Sequence, residues 1–201
     1  MFNNELMLFP EELGNMAEQA LKAKPFIVAL GENGYKDGNI KYKEKRGIRF
    51  YVAGAIDIGD DGHKCTAYAC DFTDELFNQA VRNTMEMARI GDMLDAVNNT
   101  MHPIAKWEPC GDPMLVLTKK DRFHGAGILM CDELLRKIYD KIGTFYIIPS
   151  SIHEVMIVPG EYNNEQTDML KEIINDVNRE GAVAESEILG WKPFFFDGSN
   201  W

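Results

Sequence analysis

The spacing of apolar residues in the C-terminal half of the chain switches between every second residue and every third or fourth residue, and this switching constrains the fold most. A spacing of two predicts a strand with one buried face, and a spacing of three and four predicts a helix with an apolar stripe. In chain order the pattern predicts strand, strand, helix, strand, strand and helix at residues 114–118, 123–130, 132–142, 145–148, 152–158 and 165–179. This β-β-α-β-β-α order predicts an α+β fold, in which an antiparallel sheet has its helices packed on one face.

The N-terminal part predicts a helix followed by a β-meander. Residues 11–24 place apolar side chains on one stripe, and Pro25 ends this helix because proline has no backbone N–H to donate. Alternating apolar residues between 39 and 70, with a hairpin turn at Asp60-Asp61-Gly62, predict antiparallel strands. The apolar run 26–30 is compatible with either a strand or a helix.

The middle of the chain predicts two helices and a connection. Thr73 is a suitable N-cap for a helix over residues 74–89, and Gly91 separates this helix from a shorter second one. Three prolines and one glycine in residues 102–113 predict an irregular connection to the C-terminal half.

The length of the chain favours one domain. A chain of 201 residues buries enough apolar surface to fold without disulfide bonds. We therefore expect a single domain over residues 1–201, with an N-terminal sub-region (1–72) and a C-terminal core (73–201).

The charge balance is strongly acidic. The chain has 32 acidic and 21 basic residues and a formal net charge of −11. A negative field repels nucleic-acid backbones and anionic membranes, so we expect neither general nucleic-acid binding nor membrane binding. The same field attracts a protein partner with a basic surface, although net charge also serves solubility alone.

Cysteine content and the lack of targeting segments predict a cytoplasmic protein. The four cysteines are too few for a disulfide scaffold and form no C-x-x-C pair. No apolar run approaches the roughly 20 residues of a membrane-spanning helix. The first residues also lack the basic region that opens a signal peptide.

The string Pro149–Glu154 holds the strongest candidates for catalysis. On a predicted strand, Ser151 and His153 share one face with their Cβ atoms about 6.5–7 Å apart, which allows a serine–histidine contact. Glu154 points to the opposite face, and no acidic residue that would orient His153 is evident. The alternative is that the serines shape a tight turn and His153 makes a local hydrogen bond.

Other polar motifs match known site patterns only loosely. His63, Cys65 and Cys70 are spaced roughly like zinc ligands, but residues five apart on a strand face opposite sides. The glycine-bearing segment 31–38 matches neither the P-loop nor the dinucleotide-binding pattern. His124–Gly127 lies in a predicted strand, where glycine more often marks a close approach of two backbones. We expect no metal and no cofactor.

Lysines share one face of the predicted strand near residue 43. Lys41, Lys43 and Lys45 alternate with other residues, so their side chains point the same way. They either bind an anion or protect an exposed edge strand from pairing with another chain, and the second interpretation needs no ligand.

Aromatic residues crowd the last eleven positions: Trp191, Phe194, Phe195, Phe196 and Trp201. On a strand, Phe194 and Phe196 face one way and Phe195 the other. The segment either packs on the core or offers an aromatic anchor to a partner. These five residues, with Asp60 and Asp61 of the predicted turn, are our candidate binding residues.

The C-terminal sequence resembles an uncharacterised family of unknown function. The resemblance rests on the stretches Thr73–Phe77, Pro113–Thr118, Gly125–Leu129, Phe145–Val155, Val177-Asn178 and Glu187–Leu189. It covers roughly residues 55–197, and the string PSSIHE (149–154) is its most specific part. The family is common in anaerobic gut bacteria and their mobile elements, so the resemblance implies a bacterial or phage origin. It implies no catalytic residue, because the family has no established activity.

Together these features favour a non-enzymatic protein-binding module. Its partner would be a protein with a basic surface, and the sharpest form of the hypothesis is an inhibitor of a host defence nuclease, of the anti-CRISPR type. The alternative is a small hydrolase that uses Ser151 and His153.

Overall fold

The structure is a computed structural model that describes residues 10–31, 34, 38–58 and 63–199. The helices are α1 (Pro10–Ala23), α2 (Asp74–Met87), α3 (Met93–Asn98), α4 (Asp132–Ile142) and α5 (Asn164–Arg179). The strands are β1 (Phe26–Leu30), β2 (Lys43–Lys45), β3 (Ile48–Ile58), β4 (His63–Tyr68), β5 (Ala88–Asp92), β6 (His102–Pro103), β7 (Leu115–Lys119), β8 (Phe145–Ile148), β9 (Glu154–Pro159) and β10 (Phe194–Phe196). Short 3-10 helices span Ile104–Lys106, Gly125–Met130 and Glu185–Glu187.

One antiparallel sheet forms around β3. This strand pairs with β1, β2 and β4, which confirms the predicted antiparallel strands, although β2 begins at Lys43 and leaves Lys41 outside it. The helix α1 that precedes them confirms the predicted N-terminal helix. The undecided run 26–30 is β1, and all five of its residues are buried. Both α2 and the 3-10 helix Gly125–Met130 pack against β1. A strand covered on both faces shows no alternation of apolar residues, which is why its sequence does not distinguish it from a helix.

A second antiparallel sheet contains six strands. Their order is β10-β8-β9-β7-β5-β6, so β7 and β9 lie at its centre. The predicted α+β class with antiparallel sheets is therefore confirmed. Helices α1, α4 and α5 begin and end within one residue of their predicted bounds. Buried apolar residues of the two sheets belong to one common cluster.

The strand β5 was not anticipated. We expected the helix after Thr73 to continue to residue 89, but α2 ends at Met87 and Ala88 already has an extended backbone. From Ala88 onward the chain pairs with β7, with Ala88 opposite Lys119 and Asp92 opposite Leu115. Pairing with a strand that lies about 30 residues downstream overrides the local helical pattern.

The predicted strand over residues 123–130 is wrong. These residues form a turn and the 3-10 helix Gly125–Met130, and the neighbours of β7 are β5 and β9. The C-terminal order is therefore strand, 3-10 helix, α4, strand, strand and α5. Residues 124–129 are buried without alternation, so their apolar run does not reveal the element type.

Helices cover both faces of the six-stranded sheet, whereas we expected them on one face. Leu134 and Ile138 of α4 belong to the common cluster between the sheets. Leu170 and Ile174 of α5 pack instead against the opposite face of the sheet, where they contact alternate residues of β8. Among the residues described here, no helix has both the length and the apolar composition that crossing a membrane requires.

Gly127 is the position where substitution should damage the fold most directly. A Cβ atom there would overlap the backbone carbonyl of Ile27 in β1, and a backbone group cannot move aside as a flexible side chain can. We expect Gly127→Ala to lower the free energy of unfolding by about 2–4 kcal/mol, measured by urea denaturation.

The matched control is Gly14→Ala in α1. A Cβ atom at Gly14 meets no other atom, and alanine favours a helix, so this variant should be slightly more stable than the wild type. If both variants had wild-type stability, Gly127 would not be a point of close packing.

Candidate functional site

Ser151 caps the turn that precedes β9. Its Oγ accepts hydrogen bonds from the backbone N–H groups of His153 (3.1 Å) and Glu154 (3.3 Å). The strand predicted over 152–158 is β9, which begins at Glu154, two residues later than predicted. Ser151 and His153 therefore lie before the strand and do not share one of its faces. The serine oxygen therefore serves the turn, as in the alternative interpretation of this string.

His153 has partners other than Ser151. Its Nδ1 accepts the backbone N–H of His124 at 3.2 Å, and its Nε2 lies 3.5 Å from Oε1 of Glu187. Since Nδ1 is an acceptor, the neutral ring carries its proton on Nε2 and directs it toward Glu187. The hydroxyl of Ser151 and the imidazole of His153 are thus separately engaged, and this geometry offers no pair of nucleophile and base.

His124 is the buried neighbour of His153. Its backbone is left-handed (φ 54°), its Nε2 lies 2.8 Å from Oγ1 of Thr66, and its ring stacks on that of His153 with centroids 5.5 Å apart. Burial, followed by the electrostatic effects of His153 and Lys119, lowers the pKa of His124 to about 3. The ring is therefore neutral near physiological pH, and its Nδ1 is buried without a hydrogen-bond partner.

Lys119, the last residue of β7, is buried beside this histidine. Its side chain is 1% exposed, and its Nζ lies 3.7 Å from the ring centroid of Phe26 and 3.9 Å from Oδ1 of Asp121. Burial lowers the pKa of Lys119 to about 8, although Asp121 opposes this shift. Asp121 also pairs with Lys64 at 3.4 Å, so it compensates the charge of Lys119 only in part.

We call Thr66, Lys119, Asp121, His124 and His153 the junction cluster, because they lie where the two sheets meet. Nζ of Lys119 and Nδ1 of His124 are buried without hydrogen bonds, which is costly for polar atoms. Both side chains are closed to solvent. Sequence reasoning missed the roles of Lys119 and His124, because only the fold buries them.

The lysines near β2 are paired with aspartates. Lys41 contacts Asp71 at 2.7 Å and Lys43 contacts Asp74 at 3.0 Å. A third ion pair joins Lys45 to Asp132 in α4. Carboxylates therefore already compensate these positive charges, which leaves little attraction for an anion.

The structure describes the side chains of two of the three loosely spaced zinc-ligand candidates. Cys65 and Cys70 are exposed free thiols, and the side chain of His63 lies outside the described part of the chain. In the part that the structure describes, no three side chains of His, Cys, Asp or Glu lie close enough to hold a metal ion.

The C-terminal aromatic segment packs on the core. Phe194 and Phe196 of β10 are buried on one face of the sheet, and Phe196 stacks on Phe145 with centroids 5.1 Å apart. Phe195 faces the other way and contacts Tyr146 edge-on. The packing alternative therefore holds for these three residues, with the strand alternation that we expected.

One of the other candidate binding residues is exposed. Trp191 precedes β10 and is 38% exposed, so it is accessible to a partner. Trp201, Asp60 and Asp61 lie outside the described residues.

The outer surface of α5 carries a second apolar row. Met169, Ile173 and Val177 recur every four residues and are 51%, 47% and 38% exposed. A parallel row of exposed carboxylates lies beside them: Asp168, Glu172, Asp176 and Glu180. Met169 and Glu172 are three apart, as are Ile173 and Asp176, and residues three apart are neighbours on a helix, so the two rows are adjacent. We call these seven residues the α5 surface.

These features define an α+β protein with two antiparallel sheets, a buried polar junction between them and an exposed amphipathic helix. The sequence profile of a family of unknown function, DUF5688, matches residues 67–198. This match covers more than half of the chain, so the protein belongs to that family, which confirms the predicted membership of an uncharacterised family. No curated protein and no solved structure matched the chain.

Replacing Lys119 with methionine should stabilise the protein. Lys119 has a pKa of about 8 in the folded protein and an ordinary pKa of 10.5 when exposed in the unfolded chain, so the unfolded chain binds this proton more tightly. The resulting penalty is present in full below pH 8 and disappears as the pH rises toward 10.5. Methionine fills similar space against Phe26 without a charge. We expect the free energy of unfolding near neutral pH to rise by about 1–2 kcal/mol in urea denaturation.

The control for this variant is Lys120→Met, because Lys120 is exposed. It should change the free energy of unfolding by less than about 0.5 kcal/mol. A Lys119→Met protein less stable than the wild type would mean that the buried ammonium group makes a net favourable interaction.

Acid should destabilise the protein through His124. Its pKa is about 3 in the folded protein and 6.5 in the unfolded chain, so the unfolded chain binds a proton first as the pH falls. The free energy of unfolding therefore decreases below pH 6.5 and continues to decrease until about pH 3. The slope approaches about 1.4 kcal/mol per pH unit.

The variant His124→Asn isolates this effect, because asparagine tolerates a left-handed backbone and does not titrate. Urea denaturation between pH 6.5 and about pH 5, where exposed carboxylates stay mostly ionised, should show a shallower slope for the variant than for the wild type. Equal slopes would assign the acid sensitivity to other groups.

Proposed function

We propose that the protein is a non-enzymatic protein-binding module and that the α5 surface holds its partner. The observation that carries this proposal is the exposed apolar row Met169, Ile173 and Val177. Leu170 and Ile174 already supply the contacts of α5 with the sheet, so the exposed row is not needed for the core. Apolar residues at helical spacing on an outer face are typical of helices that bind a groove in another protein.

The charge of the α5 surface specifies a basic partner. The four carboxylates of this surface form one row along the helix, next to the apolar row. A groove with an apolar floor and lysines or arginines along one side would match both rows. The net charge of −11 would also speed the encounter with such a partner.

A bacterial defence nuclease is the particular partner that we propose, with the protein acting as an inhibitor of the anti-CRISPR type from a phage or another mobile element. RNA-guided nucleases hold nucleic acid in a positively charged channel. An acidic helix that occupies such a channel would exclude the nucleic acid. Support for this proposal comes from the sign of the charge and from the position of the apolar row.

Changing both rows of the α5 surface tests the proposal. Ile173 and Asp176 are exposed, so the double variant Ile173→Lys/Asp176→Lys should fold like the wild type. With an RNA-guided nuclease that the wild type inhibits, we expect the double variant to require at least about tenfold more protein for half-inhibition of DNA cleavage. Circular dichroism and urea denaturation of the same samples verify that the fold is intact.

The matched control is Leu94→Lys/Asp140→Lys, which makes the same chemical changes at exposed positions of α3 and α4. It should inhibit like the wild type. If both double variants lost inhibition to the same extent, the α5 surface would not be the binding site. The absence of a complex with any basic nuclease at micromolar concentration and low salt would count against the inhibitor itself.

A further inference from the structure

A cavity of about 170 Å³ at the end of β7 concentrates positive charge in this acidic protein. Its lining residues come from β5, from the segment after α3 and from the end of β7: Arg89, Asn99, Met101, Thr118, Lys119, Lys120 and Arg122. Since Lys119 directs its ammonium group to the ring of Phe26, the cations left for the cavity are Arg89, Lys120 and Arg122. None of the described lining residues is acidic, although the chain has a net charge of −11.

Backbone carbonyls hold the two guanidinium groups in place without neutralising them. Nη1 of Arg89 donates to the carbonyl oxygens of Glu86 (3.3 Å) and Ala88 (2.7 Å). Nη2 of Arg122 donates to the carbonyl oxygen of Ala96 in α3. A guanidinium group has five N–H donors, so each arginine retains donors for a further acceptor.

The neighbouring carboxylate is engaged elsewhere. Asp121 lies between two of the cationic residues in sequence, but its side chain pairs with Lys64 at 3.4 Å and lies 3.9 Å from Nζ of Lys119. Within the described ranges, no carboxylate forms an ion pair with the three cations of the cavity. Their charge is therefore available to a ligand.

The backbone around the cavity is conformationally constrained. Asn99 and Arg122 both have left-handed backbones, with φ of 60° and 56°. For arginine this conformation costs about 1–2 kcal/mol. The strained residue, Arg122, is one of the two arginines whose guanidinium groups line the cavity.

We propose that this cavity binds the phosphate group of a small phosphorylated molecule. A phosphate monoester carries a charge of about −1.5 to −2 near neutral pH and has three terminal oxygens, which suits three uncompensated cations better than a singly charged carboxylate does. Arginine donates two parallel hydrogen bonds to phosphate oxygens. The cavity of about 170 Å³ has room for a phosphate group, and the rest of the ligand would stay outside it.

A small ligand fits the charge of the whole protein better than a nucleic acid. The net charge of −11 repels a long polyanion. A single phosphate group meets mainly the local positive charge of the cavity.

Nuclear magnetic resonance titration of the whole protein at constant ionic strength tests the site. The probes are inorganic phosphate and glycerol phosphate, with acetate for comparison. We expect saturable shifts of the backbone amide signals around Arg89 and residues 118–122, with a dissociation constant of about 1 mM or lower for the phosphates and weaker binding of acetate. The variants Arg89→Gln and Arg122→Gln should each weaken phosphate binding at least about fivefold.

The control is Arg82→Gln, which removes an exposed arginine of α2 that does not line the cavity. This variant should bind phosphate like the wild type. Shifts that do not saturate, equal binding of acetate, or an equal loss in the Arg82 variant would overturn the site. Tighter binding of a short single-stranded DNA than of glycerol phosphate would overturn the choice of ligand.

Discussion

The contact between the 3-10 helix Gly125–Met130 and the two sheets determines how this fold is assembled. Gly127 lies directly against the backbone of Ile27 in the first sheet, and Gly125 lies against the backbone of His153 beside the second. Ile128 and Leu129 fill the space between the sheets. Because a side chain at either glycine would push two backbones apart, the sheets can share one core only if both positions stay without a Cβ atom.

The junction cluster is a direct consequence of this contact. Lys119 and His124 lie just before the 3-10 helix, so the segment that joins the sheets also draws their side chains out of water. Each leaves one buried nitrogen without a hydrogen bond. The large apolar core offsets this cost, but stability is not at its maximum here, and positions of this kind often serve something other than packing.

The distribution of charge matters more for function than its sum. Near β2 each lysine of the basic run is matched by an aspartate, so the surface there is locally neutral. The outer face of α5 is acidic beside an apolar row, whereas Arg89, Lys120 and Arg122 border a cavity without a carboxylate. The net charge of −11 therefore predicts that a large partner carries positive charge. It does not reveal the positively charged cavity, which suits a small anionic ligand.

The sequence by itself determined the helices and strands that have one buried face and one face exposed to water. Helices α1, α4 and α5, the meander around β3 and the alternation of Phe194–Phe196 all follow from apolar residues spaced to fit one buried face or stripe. Only the tertiary structure decided the rest, because the rest depends on segments that are distant in sequence. Residues Ala88–Asp92 form a strand because they pair with β7. Residues 124–129 are all buried, so their sequence shows no alternation between apolar and polar residues. The partners of Ser151, His153 and Lys119, and the convergence of three cations on one cavity, likewise depend on contacts that no local spacing encodes.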